Sequence, residues 1–266
     1  MALYRLSLPH FCLPQAKLAD DIGMLNSPDN LRHKLQPSMK IGIVVQARMS
    51  SQRLPGKILT PIHEKPLLLY LIERLKHVSN IDDLLLATSI DTTDDPVVLF
   101  AEQCHISVFR GSLNNVAERF RDVIRYANLD AFVRINGDSP LLDQRLVTRA
   151  VELFRNTDAD MVTNVMPRTF PKGQSVEVLR ARVIIDSYSE FDHDSDFEHV
   201  TSYFYRHAGR FKIVNFQAER DYSSLQFSVD TPADLANMTK LVSMMKRPHW
   251  DYTLEEMVEL YREAGE

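Results

Sequence analysis

Apolar positions along the chain fall into two repeating patterns, short continuous runs and longer stretches at helical spacing. The first run, residues 41–45, is rich in β-branched side chains and bounded by polar residues, which is typical of a strand buried on both faces. Pro66 then opens a segment whose apolar residues recur at helical spacing, as on the buried face of a helix. Glu73, Arg74 and Lys76 fall on its charged face. A buried strand followed by a helix is the repeating unit of an α/β fold.

The same two patterns continue along the chain. They predict strands at residues 41–45, 83–88, 107–109, 131–135, 161–165, 175–179, 211–217 and 225–229. They predict helices after Pro66 and at residues 94–103, 115–127, 143–154, 181–188, 197–207, 233–245 and 253–262. In the helix at 115–127 we assign Arg119, Arg121 and Arg125 to a solvated face. Alternating strands and helices predict a mostly parallel sheet with right-handed crossovers, covered by helices on both faces.

The domain organisation predicted from this pattern is one domain, residues 39–266, preceded by an extension. Residues 1–38 contain a faint apolar stretch, but Pro9 and Pro14 interrupt it, which argues against a secretory signal. We expect this extension to be loosely ordered. A start codon upstream of the functional one would explain it, because Met39 directly precedes the first strand.

Composition and charge restrict the classes of partner. The 266 residues are 44% hydrophobic and 25% charged, as in a soluble globular protein. A formal net charge of −5 argues against a general nucleic-acid or anionic-membrane surface, so any anion site is local. No segment approaches the ~18 apolar residues of a membrane span. Two cysteines are too few for a disulfide framework, which predicts a cytoplasmic protein.

Three cations follow the first strand within ten positions, in a loop of small and polar residues. We call residues 47–57 the cationic loop; it carries Arg48, Arg53 and Lys57. The carboxyl ends of buried strands are where open α/β sheets bind phosphorylated ligands, and guanidinium and ammonium groups suit phosphate oxygens. The alternative is three solvated surface cations.

Two acidic turns follow later strands. Asp138 lies in the sequence Gly-Asp-Ser-Pro and Asp230 in Val-Asp-Thr-Pro. Two carboxylates together with substrate phosphates are a common set of ligands for magnesium, so a nucleoside triphosphate would complete the site. The alternative for each aspartate is an N-terminal helix cap.

Taken together, three segments resemble the cytidylyltransferases that activate acidic sugars. They are Gln-Ala-Arg-Met-Ser-Ser-Gln-Arg-Leu-Pro-Gly-Lys at 46–57, Arg-Ile-Asn-Gly-Asp-Ser-Pro at 134–140 and Val-Asp-Thr-Pro-Ala-Asp-Leu at 229–235. Residues 108–112, 167–171, 176–178 and 198–201 match in the same order. The chain is most similar to the branch named for the spore coat polysaccharide biosynthesis protein SpsF, related to CMP-KDO and acylneuraminate cytidylyltransferases. The resemblance covers roughly residues 39–245.

The resemblance implies a Rossmann-like nucleotide-diphospho-sugar transferase fold and the transfer of CMP from CTP to a sugar acid or related glycan precursor. Pyrophosphate would be released without a covalent enzyme intermediate. By the same resemblance, Arg48, Arg53 and Lys57 would bind the triphosphate, and Asp138 and Asp230 would hold Mg²⁺. The catalytic set is then Arg48, Arg53, Lys57 and Asp138.

Further positions are carried over from the same motifs. Gln46 and Ala47 would face the base or ribose through their backbone, and Arg110 and Ser112 would lie near the nucleotide. Glu177 and His199 would belong to the sugar side, although each is also explained as a hydrogen-bonded core residue. The related enzymes are generally dimers, so we expect a homodimer.

Departures from the family pattern leave other functions open. Ser50 stands where the family usually has glycine, and Ser175 stands where the branch often has aspartate. These two departures leave open the alternative that the protein is a catalytically impaired nucleotide-binding subunit. A nucleotide-sugar-dependent glycosyltransferase is the second alternative, but no Asp-X-Asp pair follows a strand.

Overall fold

The computed structural model describes residues 39–265, so the predicted extension, residues 1–38, lies outside the described residues. The strands are β1 (Ile41–Gln46), β2 (Pro61–Ile62), β3 (Lys65–Pro66), β4 (Asp83–Ser89), β5 (Ser107–Gly111), β6 (Ala131–Asn136), β7 (Met161–Thr163), β8 (Glu177–Arg180) and β9 (Ile213–Asn215). The helices are α1 (Leu67–Leu75), α2 (Asp95–Gln103), α3 (Val116–Tyr126), α4 (Gln144–Arg155), α5 (Ala181–Ser187), α6 (Asp194–Glu198), α7 (Ser202–Arg206), α8 (Pro232–Met244) and α9 (Leu254–Gly265).

The central sheet has seven strands in the order β5-β4-β1-β6-β8-β7-β9. Strands β5, β4, β1 and β6 run parallel to one another, and β8 runs antiparallel to both β6 and β7. Two hydrophobic cores cover the two faces. In β1, Ile43 and Val45 belong to one core and Val44 to the other, as the alternation of side chains in a strand requires. The predicted mostly parallel sheet with helices on both faces is confirmed.

The last third of the sheet differs from the prediction. Strand β8 is antiparallel because β7 and β8 are joined by a loop without a crossover helix, and a parallel neighbour needs such a crossover. Residues 225–229 are not a strand: their backbone bonds go to Lys172 and to Asp138 instead of a neighbouring strand. A short hairpin, β2 with β3, was not predicted.

The predicted helix at 197–207 is interrupted between α6 and α7. Val200 is fully buried with φ +30°, a conformation that β-branched residues rarely adopt. The interruption turns Val200 into the core and leaves His199 exposed.

Two arginines assigned to charged helix faces are buried. Arg74 on α1 is 0% exposed and Arg119 on α3 is 1% exposed, so both assignments were wrong. Arg74 donates to the carbonyls of Leu142, His249 and Tyr252. Its guanidinium is therefore hydrogen-bonded inside the protein, at a position that the sequence pattern alone assigns to the polar face of the helix. Arg119 packs its stem against Gly111, where an added Cβ would lie 2.9 Å from its Cγ. None of the helices in residues 39–265 is both long and apolar enough to cross a membrane.

Candidate active site

Lys57 joins the two acidic turns at the carboxyl edge of the sheet. Its Nζ lies 2.8 Å from Asp138 Oδ2 and 2.9 Å from Asp230 Oδ1. The Lys57 side chain is 10% exposed and each aspartate side chain 26% exposed. The two carboxylates, which we call the acidic pair, therefore converge on a single point although they are far apart in the sequence.

The turn that carries Asp138 is held against the end of β1 by a close backbone approach. Gly137 N donates to Gln46 O at 2.8 Å, and a Cβ on Gly137 would lie 2.9 Å from that oxygen. Only glycine fits this spacing without a shift. On the other side of the turn, Val229 N donates to Asp138 O at 2.9 Å, which fixes the second acidic turn beside the first.

In neither acidic turn does the aspartate cap a helix. Thr231 caps α8, in a reciprocal arrangement with Asp234, and Asp143 caps α4. Asp138 and Asp230 are thus left to bind cations, here the ammonium group of Lys57.

A buried carboxylate fixes the start of the cationic loop. Asp94, 0% exposed, accepts hydrogen bonds from Met49 N at 2.7 Å and from Ser89 N at 3.1 Å. The loop then folds back on itself, because Gly56 N donates to Met49 O at 2.9 Å and Gly56 has φ +73°. The sequence pattern placed Asp94 only at a helix start and missed this positioning role. Its burial, not its position in a motif, reveals it.

The two arginines of the loop point to different partners. Arg53 Nη2 lies 3.0 Å from Asp230 Oδ1, with 66% of its side chain exposed. Arg48 Nη2 lies 3.7 Å from Glu198 Oε1 at the end of α6. The structure therefore brings Arg53 and Lys57 together with the acidic pair and directs Arg48 towards the segment that contains His199. Ion pairs this exposed contribute little to stability.

Arg110 and Ser112 lie at the edge of the sheet, at the end of β5. Arg110 donates to the carbonyls of Ser89 and Asp91 at 2.9 Å each and pairs with Asp95 at 2.8 Å, so its guanidinium is engaged within the protein. Ser112 Oγ accepts from Asn115 N at 3.1 Å in front of α3.

Arg119 adds a buried cation behind this edge. Its Nη1 donates to Ser112 O at 3.0 Å, while its Nε has no hydrogen-bond partner within residues 39–265. Burial and the nearby charge of Arg48 lower the pKa of Arg119 to about 10. The sequence reading missed this neighbour of the cationic loop.

Glu177 lies in a network that ends at Gln46. Its carboxylate accepts from Arg134 Nη1 at 2.6 Å and from the Tyr205 hydroxyl at 2.5 Å, and Arg134 Nε donates to Gln46 Oε1 at 3.2 Å. Burial and the charge of Glu177 raise the pKa of Tyr205, so the phenol stays protonated. Both Glu177 oxygens are thus occupied. Tyr205 and Arg134 had no role assigned from the sequence.

Ala47 and His199 complete the predicted set. Ala47 is buried, and its backbone N donates to Ala87 O at 3.2 Å, so this N–H is not free for a ligand. The side chain of His199 is exposed and makes no hydrogen bond to any residue in the described range 39–265.

Comparison with known proteins gives consistent matches. The sequence model of the cytidylyltransferase family matches residues 42–263. The spore coat polysaccharide biosynthesis protein SpsF of Bacillus subtilis is 30% identical over 227 residues, which cover 82% of this chain and 92% of that protein. A 3-deoxy-manno-octulosonate cytidylyltransferase of Acinetobacter baumannii is 34% identical over 115 residues, 42% of this chain and 45% of that protein.

A solved structure matches the fold. The cytidylyltransferase from Leptospira borgpetersenii shares 30% identity at a TM-score of 0.81, covering 85% of this chain and 95% of that one. The likeness confirms the predicted Rossmann-like nucleotidyltransferase fold. The chain therefore belongs to the cytidylyltransferase family and resembles SpsF over most of its length.

Proposed function

We propose that this enzyme transfers CMP from CTP to a hydroxyl of a sugar acid and releases pyrophosphate, in a reaction that requires magnesium. The observation that carries the proposal is the convergence of Asp138 and Asp230 on Lys57, at 2.8 and 2.9 Å. A metal–triphosphate complex needs carboxylates for the metal and cations for the phosphates. Both lie here at one edge of the sheet.

The acidic pair fits the ligand chemistry of Mg²⁺. Both aspartates offer carboxylate oxygens, and both already contact the ammonium group of Lys57. Within residues 39–265 no group of three or more His, Cys, Asp or Glu side chains could hold a metal. The remaining ligands would therefore be waters and phosphate oxygens, as is usual for Mg²⁺. Bound there by Asp138 and Asp230, the ion would neutralise negative charge on the phosphates.

The side chains of the chain bind and orient the reactants. Lys57 and Arg53 lie beside the acidic pair, where they would bind the β- and γ-phosphates, and Arg48 would add a third cation. The acceptor hydroxyl attacks the α-phosphorus in line. The bond from that phosphorus to the bridging oxygen breaks, pyrophosphate leaves, and the hydroxyl proton passes to solvent. Stabilisation of the leaving pyrophosphate is the main catalytic contribution of these cations.

The acceptor side is assigned from the network around Glu177. Arg134 donates to Gln46 at the end of β1, and Tyr205 donates to Glu177, so the network reaches the carboxyl end of β1. The A. baumannii relative is named for the sugar acid 3-deoxy-manno-octulosonate, and the B. subtilis relative for polysaccharide biosynthesis. On that basis we propose an acidic glycan precursor as the acceptor substrate of this enzyme. A cytoplasmic homodimer is part of the proposal, and sedimentation of the purified protein tests the dimer.

The backbone at Ser50 does not favour the impaired-subunit alternative. Ser50 is exposed and is not among the residues with positive φ, so the loop does not require glycine there. In the glycosyltransferase alternative, part of the cationic loop would have no phosphate to bind, because a nucleotide-sugar donor carries only a diphosphate.

Pyrophosphate release tests the proposal. The protein is incubated with each of CTP, UTP, ATP and GTP and with a panel of acidic and neutral sugars, with and without Mg²⁺. We expect release only with CTP, Mg²⁺ and an acidic sugar together, and none after chelation. Release without a preference for CTP would contradict the nucleotide assignment.

A further inference from the structure

The ammonium group of Lys57 lies where the acidic pair would hold an ion. Its Nζ is 2.8 Å from Asp138 Oδ2 and 2.9 Å from Asp230 Oδ1. Because Mg²⁺ binds oxygen at ~2.1 Å, an ion coordinated by these same oxygens would lie no more than about 5 Å from Nζ. Two cations at that separation repel each other, most strongly in a largely buried site. Lys57 and a metal ion therefore compete for the two carboxylates.

The main chain of Lys57 is fixed, whereas its side chain can rotate. Lys57 N donates to Leu54 O at 3.2 Å, and Thr60 N donates to Lys57 O at 3.1 Å. The next residue, Ile58, is 2% exposed and belongs to a hydrophobic core. The flexible four-carbon stem of a lysine can move its ammonium group without a change in the main chain. Lys57 can therefore leave the acidic pair while the cationic loop stays in place.

Lys57 can also donate to a further acceptor. An ammonium group has three N–H donors, and within residues 39–265 this one donates only to Asp138 and Asp230. A phosphate oxygen can accept from the third N–H, and the other oxygens of a triphosphate can replace the two carboxylates. A triphosphate thus offers Lys57 a complete alternative set of partners.

The other two cations of the loop are paired with carboxylates as well. Arg53 lies 3.0 Å from Asp230, and Arg48 lies 3.7 Å from Glu198. A divalent ion alone would add positive charge to these paired groups, and a triphosphate alone would add negative charge. Together the two ligands largely cancel, so each should favour binding of the other.

Lys57 differs from Arg53 in its burial and in the number of its partners. The Lys57 side chain is 10% exposed and contacts both aspartates, whereas the Arg53 side chain is 66% exposed and contacts Asp230 alone. An exposed ion pair is worth little, but separating a buried one is costly. Access of an ion to the acidic pair should therefore depend on Lys57 and hardly on Arg53.

We propose that Lys57 occupies the acidic pair in place of the metal ion until a triphosphate draws its ammonium group away. The ion then binds together with the triphosphate and not before it. The proposal rests on the proposed function, which supplies the metal and the triphosphate, and it adds the order in which the site accepts them. Lys57 thereby couples the two ligands.

Titration with Mn²⁺ alone tests this competition without nucleotide or acceptor. Mn²⁺ shares the oxygen preference of Mg²⁺, and electron paramagnetic resonance measures the free ion. Lys57→Met removes the ammonium group, and Lys57→Arg keeps its charge. Arg53→Met is the matched control, because it removes one positive charge from the same Asp230. Circular dichroism checks folding.

We expect Lys57→Met to bind Mn²⁺ roughly 10- to 100-fold more tightly than wild type. Arg53→Met should gain no more than about 3-fold, and Lys57→Arg should bind no more tightly than wild type. The double variant Lys57→Met with Asp138→Asn should lose most of the gain, which would locate the ion at the acidic pair.

NMR of the lysine ammonium groups tests the same exchange in the wild-type protein, whether or not Lys57→Met folds. The Lys57 signal is assigned by its loss in Lys57→Arg. We expect Mg²⁺ alone to leave this signal unchanged, and Mg²⁺ with either CTP or inorganic triphosphate to shift it.

Three results would overturn the proposal. They are Mn²⁺ binding to Lys57→Met no tighter than to Arg53→Met, a shift of the Lys57 signal with Mg²⁺ alone, and no shift with Mg²⁺ and either triphosphate. Failure of wild type to release pyrophosphate with any nucleotide and sugar, while the expected metal binding and shifts are observed, would instead contradict the proposed function.

Discussion

The buried carboxylate of Asp94 accepts a hydrogen bond from the backbone N–H of Met49 at 2.7 Å, across 45 positions of the sequence. The other carboxylate oxygen accepts from Ser89 N and from Ser89 Oγ. Asp94 thus joins the end of β4 to the start of the cationic loop, so the position of Arg48 depends on a residue that does not touch it.

Asp94→Asn should loosen this loop. The new amide group would face N–H donors, so we expect a loss of about 1–3 kcal/mol in the free energy of unfolding and a higher KM for CTP. Urea denaturation and steady-state kinetics measure the two effects. Glu102→Gln, exposed on α2, is the control and should change neither. An unchanged KM in Asp94→Asn would separate Asp94 from the nucleotide site.

Gly137→Ala tests the close approach of β1 and the first acidic turn. The added Cβ would lie 2.9 Å from Gln46 O and 3.2 Å from Ala47 Cβ, so the turn must shift. We expect a loss of about 1–3 kcal/mol in the free energy of unfolding together with lower activity. Gly209→Ala is the matched control, because nothing lies within 4 Å of its added Cβ. Equal stability of the two variants would show that the turn tolerates the methyl group.

Arg74→Met should destabilise the protein without affecting a ligand site. Removal of the guanidinium leaves the buried carbonyls of Leu142, His249 and Tyr252 without their donor. We expect a loss of about 3–5 kcal/mol in the free energy of unfolding, measured by urea denaturation. Lys76→Met, exposed at the end of the same helix, should stay within about 0.5 kcal/mol of wild type. A small effect at Arg74 would mean that water replaces the guanidinium.

His249 should make the fold sensitive to acid. Burial lowers the pKa of His249 from its ordinary 6.5, although its hydrogen bond with Glu73 acts against the shift. Because the pKa of this histidine is lower in the folded state than in the unfolded state, the unfolded protein binds the proton at a higher pH as the solution is acidified. Stability is therefore complete above pH 6.5 and falls as the pH drops below it.

The free energy of unfolding, measured by urea denaturation from pH 7.5 to 5, should decline below pH 6.5 in wild type. His249→Gln should show a shallower decline, and His63→Gln, at an exposed site, should follow wild type. An identical pH dependence in all three proteins would contradict the assignment to His249.

Local pattern determines much of this fold but not the last third of the sheet. The apolar run of β1 and the amphipathic periods of α3 and α4 predict elements that the structure contains, because both faces of β1 and one face of each helix are buried. The direction of β8 depends on the loop after β7, which has no periodic signal. Val200 lies at the interruption of a predicted helix, with a positive φ and its side chain in a hydrophobic core.

The candidate site shows the same division. Arg53, Lys57 and Asp138 could be predicted because each follows a strand and the carboxyl ends of parallel strands meet. Asp230 was placed at the same edge by a strand predicted at residues 225–229, which the structure does not contain. Asp94 and Arg119 could not be predicted, since their significance lies in burial and in their hydrogen-bond partners. An amphipathic pattern counts every arginine as exposed, and Arg119 shows where that fails.

Asp138→Asn tests the central claim most directly. The substitution keeps size and hydrogen bonding but removes one charge of the acidic pair. With CTP, Mg²⁺ and the best acceptor of the panel, we expect pyrophosphate release to fall roughly 100-fold or more while circular dichroism shows intact folding. Asp186→Asn, exposed on α5, should release pyrophosphate as wild type does. Retention of most activity in Asp138→Asn would contradict the claim that the acidic pair forms the metal–triphosphate site.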